Sequence, residues 1–295
     1  MAWLLAAAVV AGIVAGAYIR RHQYKPRAFA TYFAGFKPMV ASHRGYGKHG
    51  PIAENTVPAF LASEDLGFHA HELDVRRTRD NALVLLHGPR LENTTDGEGR
   101  AEDCNFSDIS TLNAAHYLKH QTAEKGVLNA ALPTLKDVLT AIDNSSLVNV
   151  EIKRDRWDLS RGLEELSVRI VQDCGAAERV CFSGFHFLTL WRLRRLKTRI
   201  PVGLLIEPGI WARLKLFVYR NILLPDNIHL HYTTATPGLV SSLKRAGYGV
   251  ACWTVNDPET ARSLFSSGVD MVITDNMEFA ALFGETKTTS GKKRR

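Results

Sequence analysis

Residues 38–75 read PMVASHRGYGKHGPIAENTVPAFLASEDLGFHAHELDV. Pro38–Ser42 is a short apolar run of strand length, Thr56–Leu66 carries apolar residues at helical spacing, and His69–Val75 is a second strand candidate. Strand, helix and strand in that order make the unit of a parallel sheet, because a parallel crossover must be long enough to hold a helix. The same alternation continues downstream. Further strand candidates are Ala82–His87, Leu147–Ile152, Arg179–Phe182, Val202–Ile206, Asn227–His231, Val250–Val255 and Met271–Thr274. Helix patterns fall at Thr134–Ile142, Leu159–Cys174, Leu188–Lys197, Pro237–Ala246 and Pro258–Ser266. Eight or nine such units in about 250 residues favour a closed TIM (β/α)8 barrel over an open sheet. No stretch rich in Pro, Gly or Ser divides the chain, so one barrel domain is expected over 38–284, with a basic tail at 285–295.

Composition agrees with a globular body. The chain has 295 residues, 45% hydrophobic and 23% charged, enough to bury a large core. Cys104, Cys174, Cys181 and Cys252 lie far apart and form no C-x-x-C pair, so neither a disulfide framework nor a zinc site is expected. The net charge of +7 would suggest nucleic acid, but its distribution argues against that partner. Arg20, Arg21, Lys25 and Arg27 stand at one end and Lys292, Lys293, Arg294 and Arg295 at the other, with no acid among residues 1–27 or 292–295. These eight cations exceed the whole net charge, so the body between them is close to neutral.

From Ala2 to Ile19 runs an uncharged, apolar stretch of 18 residues. At about 1.5 Å per residue a helix of this length approaches the bilayer core. It reads as a single-pass transmembrane anchor over 1–20, with a basic juxtamembrane linker at 21–37. A cleaved signal peptide is the alternative, since residues 15–17 are Ala-Gly-Ala, but no basic segment precedes the apolar run. Cations follow the span, which puts the body on the cytoplasmic side of a membrane.

Within this frame one series of motifs carries chemistry: His43-Arg44-Gly45, Glu54-Asn55-Thr56, Glu72-Leu73-Asp74, His87 and Glu151-Ile152-Lys153. Histidines transfer protons, carboxylates are hard ligands for divalent cations, and Arg and Lys neutralise a phosphate. His43, Glu72, Asp74, His87, Glu151 and Trp253 fall at or near the C-terminal ends of strand candidates, where barrel enzymes place their catalytic groups. Alternation along a strand also puts Glu72 and Asp74 on the same side.

With the Pro133-Thr134-Leu135, Trp253-Thr254-Val255-Asn256 and Ile273-Thr274-Asp275 motifs added, the chain resembles the glycerophosphodiester phosphodiesterase family over roughly residues 38–283. The resemblance implies a TIM-barrel hydrolase that uses Ca²⁺ or Mg²⁺ to release glycerol 3-phosphate and an alcohol from glycerophosphodiesters. Some members instead act on lysophospholipids and release lysophosphatidic acid. Carried over by motif, Glu72, Asp74 and Glu151 are expected as metal ligands and His43 and His87 as the acid–base pair. Arg44 and Lys153 would hold the phosphate, Glu54 would ligate the metal or orient Arg44, and Trp253 would wall the pocket. The remaining histidines are assigned structural roles.

Two departures stand out. The family commonly has Asp after the second histidine, whereas this chain has Gly88, and the turn before the third strand is Asp80-Asn81 in place of Asp-Gly. A sphingomyelinase D-like phospholipase that closes a cyclic phosphate, and a phosphate-binding protein impaired in turnover by Gly88, are the alternative functions. Ile210–Leu224 mixes Trp211, Leu214, Leu216, Phe217, Val218 and Tyr219 with Arg213, Lys215 and Arg220, a composition that suits either a helix packed on the barrel or one resting on lipid.

Overall fold

The computed structural model describes residues 23–27, 39–47, 50–120, 129–155 and 159–283, together with Gly12, Gly16 and Ile19. In chain order the strands are β1 (Met39–His43), β2 (Ala70–Arg77), β3 (Leu83–Leu85), β4 (Leu147–Ile152), β5 (Val180–Gly184), β6 (Val202–Ile206), β7 (Asn227–His231), β8 (Gly249–Trp253) and β9 (Met271–Thr274). The helices are α1 (Val57–Asp65), α2 (Phe106–Ile109), α3 (Leu135–Ala141), α4 (Leu163–Asp173), α5 (Phe187–Arg195), α6 (Ala212–Leu223), α7 (Pro237–Arg245), α8 (Pro258–Ser266) and α9 (Phe279–Phe283). Every strand except β3 pairs in parallel with its neighbours, and β1 bonds to both β2 and β9, so eight strands close a barrel. Helix starts follow local chemistry. Thr56, Thr134, Thr236 and Asp257 each accept a hydrogen bond from an amide in the first turn, and Pro opens α1, α7 and α8.

Strand alternation separates two cores. Val40, Leu73, Val75, Val148, Val150, Phe182, Leu204, Ile228 and Val250 face the helices and belong to the main apolar layer. Met39, Ala41, Ala70, Leu147, Cys181, Ala251, Met271 and Ile273 fill the lumen. The residues two further along several of these strands continue the lumen series upward: His43 from β1, Glu72 and Asp74 from β2, Asn149 and Glu151 from β4, Trp253 from β8. Register fixes their levels, since His43 lies beside Glu72, Glu72 beside Asn149, and Asp74 beside Glu151.

One expectation is corrected. The run Ala82–His87 is not a barrel strand: β3 returns antiparallel along the upper part of β2, pairing Val75 with Leu85 and Arg77 with Leu83. Only residues 78–82 separate the two strands, with Thr78 N donating to Ala82 O at 2.9 Å and Asn81 at φ 67°. That turn is too short for a parallel crossover. His87 therefore reaches the mouth on a chain coming back down the hairpin. The described residues between 86 and 133 then leave the barrel around a small apolar cluster of Val84, Leu86, Leu91, Ala101, Ile109, Ala114 and Leu132.

The candidate anchor lies outside the described residues apart from positions 12, 16 and 19, as does the C-terminal basic tail. Among the described residues no helix is long and apolar enough to cross a membrane. The described part of the basic linker is packed rather than free. Tyr24 and Arg27 both reach Asp226, a fully buried carboxylate at the N-terminal end of β7, and Arg194 joins them at 3.0 Å.

Candidate active site

Glu72, Asp74 and Glu151 are buried at the top of the lumen, and their carboxylate oxygens approach within 4.8 Å of one another. Three like charges in so small a volume repel, and the chain answers with two cations. Arg44 Nη1 donates to both oxygens of Glu54 at 3.0 and 3.2 Å, and its Nε lies 3.2 Å from Asp74. Lys153 Nζ sits 3.0 Å from Asp74 and 2.6 Å from Glu151. Glu54 thus orients Arg44 and stands outside the three-carboxylate group. Four carboxylates against two cations leave an excess of negative charge that suits a divalent cation, and the donors are the hard oxygens Ca²⁺ or Mg²⁺ prefer.

The electrostatics show the same imbalance. Burial, with Asp74 and Glu151 alongside, pushes the Glu72 carboxyl well above the usual range. Burial also raises Glu151 and Glu54, with Lys153 and Arg44 pulling the other way. Asp74 goes down despite its burial, because Lys153, Arg44 and a hydrogen bond from Asn55 favour its charged form. Burial opposes the charges of Arg44 and Lys153, but the surrounding carboxylates outweigh it and raise both.

His43 and His87 flank the cluster. His43 Nδ1 is 2.7 Å from Asp275 Oδ1, and its Nε2 faces Glu72 Oε2 at 3.8 Å. A carboxylate on Nδ1 selects the tautomer that turns the Nε2 lone pair to the site. Burial pushes His87 down to about 3, Asp74 opposing that shift and Lys153, Arg44 and His43 adding to it, so this imidazole is neutral across the physiological range. Trp253, half-buried at the end of β8, donates from Nε1 to His229 O at 3.3 Å and meets Phe185 and His231 edge to face, at 5.4 and 5.2 Å between ring centres.

The loops holding these groups are shaped for it. Arg44 has φ 54°, held by its amide bond to Glu72 O at 2.9 Å, and Gly45 follows at φ 86° where a Cβ would lie 2.8 Å from the Ala59 methyl. Asn55, also at positive φ, donates to Asp74 Oδ2 at 3.0 Å and accepts from Asp74 N at 3.2 Å. Every site residue expected from sequence therefore gathers at one mouth. Asn55, Asp275, Phe185 and His231 were not singled out, and Asp275 is itself steadied by Asn256, whose Nδ2 donates to Oδ2 at 3.2 Å. The motifs containing Asn55 and Asp275 were visible; the partners that give them a role were not. Gly88 passes close to Asn93, whose Oδ1 lies 2.5 Å from where a Cβ on residue 88 would be.

Comparison with known proteins points the same way. The Glycerophosphoryl diester phosphodiesterase family matches residues 43–279. A glycerophosphodiester phosphodiesterase of Caldanaerobacter subterraneus is 32% identical over 247 residues, covering 82% of this chain and 96% of the relative. The structure of a phosphodiesterase from Oleispira antarctica in complex with the product sn-glycerol-3-phosphate superposes with a TM-score of 0.68 at 25% identity, over 85% of this chain and 98% of that one. A crystal structure from Silicibacter pomeroyi shares the fold with a TM-score of 0.72 at 21% identity, over 86% and 96% of the two chains. A family match over most of the chain, a relative near one-third identity, and a barrel that brings these motifs to one mouth agree: the chain is an enzyme of the glycerophosphoryl diester phosphodiesterase family.

Proposed function

We propose that the chain hydrolyses water-soluble glycerophosphodiesters to sn-glycerol 3-phosphate and an alcohol. The observation that carries this reading is the buried Glu72, Asp74 and Glu151 cluster, bridged by Arg44 and Lys153 and flanked by two histidines. Glu72, Asp74 and Glu151 would hold Ca²⁺ or Mg²⁺, which when bound supplies positive charge to the phosphate oxygens. Arg44 and Lys153 bind the phosphate from the protein side, Arg44 with the planar fork that fits two oxygens at once. His43, its Nε2 lone pair turned to the site by Asp275 on Nδ1, takes the proton from the attacking water. The imidazolium so formed, its charge balanced by Asp275, returns that proton to the leaving alkoxide, and His87, neutral at pH 7, steadies the alkoxide with an N–H hydrogen bond. Trp253, Phe185 and His231 form the apolar wall against which the glycerol or alcohol carbons rest. The Oleispira relative, seen with sn-glycerol-3-phosphate, supports the choice of product.

Phosphorus NMR of the full chain with glycerophosphocholine and lysophosphatidylcholine in parallel, with Ca²⁺, Mg²⁺ or chelator, tests the reading. Glycerol 3-phosphate that disappears with chelator and in His43→Ala is the expected result. Lysophosphatidic acid as the preferred product would move the substrate to lysophospholipids, and a cyclic phosphate would replace hydrolysis by intramolecular transfer. Absence of turnover with either ion would overturn the assignment.

A further inference from the structure

Helix α6 is apolar on two faces. Ala212, Leu216, Tyr219 and Leu223 recur at helical spacing and pack on the barrel core. A second series at the same period, Trp211, Leu214, Val218 and Ile222, points outward, with Phe217 beside it and Ile210 just before it. Ile210 is 90% exposed, Trp211 68% and Phe217 58%. A barrel helix needs one apolar stripe; the second is not required by the fold.

The outer stripe is set among cations. Arg213 and Arg220 lie on α6 itself, and Arg220 stands over the Phe217 ring at 5.8 Å. On neighbouring α5 the Arg195 guanidinium covers the exposed Trp191 ring at 4.7 Å. A cleft of about 280 Å³ between the two helices is lined by Trp191, Arg195, Lys197 and Ile222 among others. Neither helix contains an Asp or Glu. We propose that this outer face of α5 and α6 docks on an anionic lipid bilayer. Large exposed aliphatic and aromatic side chains flanked by Arg match a medium with an apolar interior and an anionic surface, and the long Arg stems keep their charge at that surface while the neighbouring rings enter it. An acidic protein would satisfy the cations but leave so continuous an apolar row without a reason. Because Ile210 and Trp211 lie in the short connection that leaves β6 at its C-terminal, catalytic end, docking holds the mouth next to the membrane surface. This inference rests on the outer face of the barrel and not on the reaction proposed above.

The test uses the full chain with vesicles of phosphatidylcholine, alone or mixed with phosphatidylglycerol, carrying brominated acyl chains. The Trp fluorescence lost to bromine in wild type but retained in Trp211→Phe isolates position 211 from any other membrane contact. The expected result is such a difference with phosphatidylglycerol present and its absence with phosphatidylcholine alone. Arg213→Glu with Arg220→Glu should weaken the position-211 contact at least about tenfold, with glycerophosphocholine turnover equal to wild type. Equal quenching of wild type and Trp211→Phe would overturn the proposal. So would a lipid-free dimer, seen by light scattering and abolished by Trp211→Phe, which would give the face to a second copy.

Discussion

At the scale of single residues, the His43 and Asp275 pair is the most exposed to test. The carboxylate is 2.7 Å from Nδ1 and fixes which nitrogen addresses the substrate. Asp275→Asn keeps the size but can present an amide to Nδ1 and select the wrong tautomer. It should lower kcat on the order of 10²-fold with little change in KM or in thermal midpoint, and steady-state kinetics beside a melting curve would check this. Nothing local in Ile273-Thr274-Asp275 marks Asp275 as the partner, because the two residues are 232 apart in sequence and only closure of β9 onto β1 joins them. That Glu72 and Asp74 face the same way was legible for the opposite reason: they sit two apart on one strand, a relation alternation alone reveals, whereas their proposed role toward a metal came from the family resemblance. Gly88 invites restoration of the family Asp, but the Asn93 carboxamide occupies that space and its Oδ1 also accepts from Arg90 N at 3.3 Å. Gly88→Asp should displace this short turn at a cost of about 1 kcal/mol and leave kcat no higher than wild type, as denaturant titration and initial rates would show.

At the scale of elements, the hairpin of β2 and β3 and the loop after β4 are tied together by one buried side chain. Arg76 donates to Glu102 Oε1 at 2.9 Å, to Asp155 Oδ1 at 3.3 Å and to the His87 carbonyl at 3.3 Å. Three segments that sequence alone leaves independent are thereby held in one geometry: the strand bearing Glu72 and Asp74, the descending chain bearing His87, and the loop following Lys153. Arg76→Met keeps much of the volume and removes the donors. Breaking a fully buried pair costs about 3–5 kcal/mol, but Glu102 and Asp155 remain accessible to water, so a loss of about 2 kcal/mol is expected. A drop in kcat should accompany it as His87 and Lys153 lose their mutual placement, and urea titration beside kinetics reads both effects. The barrel strands were legible because each is a short apolar run between helices of 3.6 period, and their observed ends differ from the expected ones by about two residues at most. The direction of β3 was not, since a strand pattern is the same whether the next connection is a hairpin or a crossover. The described residues between 86 and 133 carry only short turns of helix, so their cluster under the hairpin had no sustained period to read.

At the scale of the whole molecule, the barrel stacks an apolar lumen below a charged mouth, and His229 sits between them. The ring fills the space above Gly203, where a Cβ would come 2.7 Å from Nε2, and burial pushes its pKa down to about 4. An unfolded histidine takes up its proton near pH 6.5, so between about pH 6.5 and 4 the unfolded chain binds more protons at this position than the folded one. Stability from a neutral His229 is thus complete above pH 6.5 and is lost as pH falls toward 4, by about 3 kcal/mol in all. His71, buried on the helix side of β2 against Ser42 at 2.8 Å, is shifted downward by the same cause and acts in the same direction. Glu72 and Glu151 act in the opposite direction. Their raised values mean that the folded chain holds protons the unfolded chain has released, so acidification relieves the mouth while it burdens the lumen. Saturating Ca²⁺ should suppress that opposing contribution by fixing the carboxylates in their charged form. Unfolding free energies from urea titration in Ca²⁺ at pH 7.5 and 4.5, for wild type and His229→Gln, then isolate the lumen histidine. The wild type should lose about 2.5 kcal/mol more than the variant over this interval, and equal losses would mean that His229 takes up its proton as readily inside the barrel as in water.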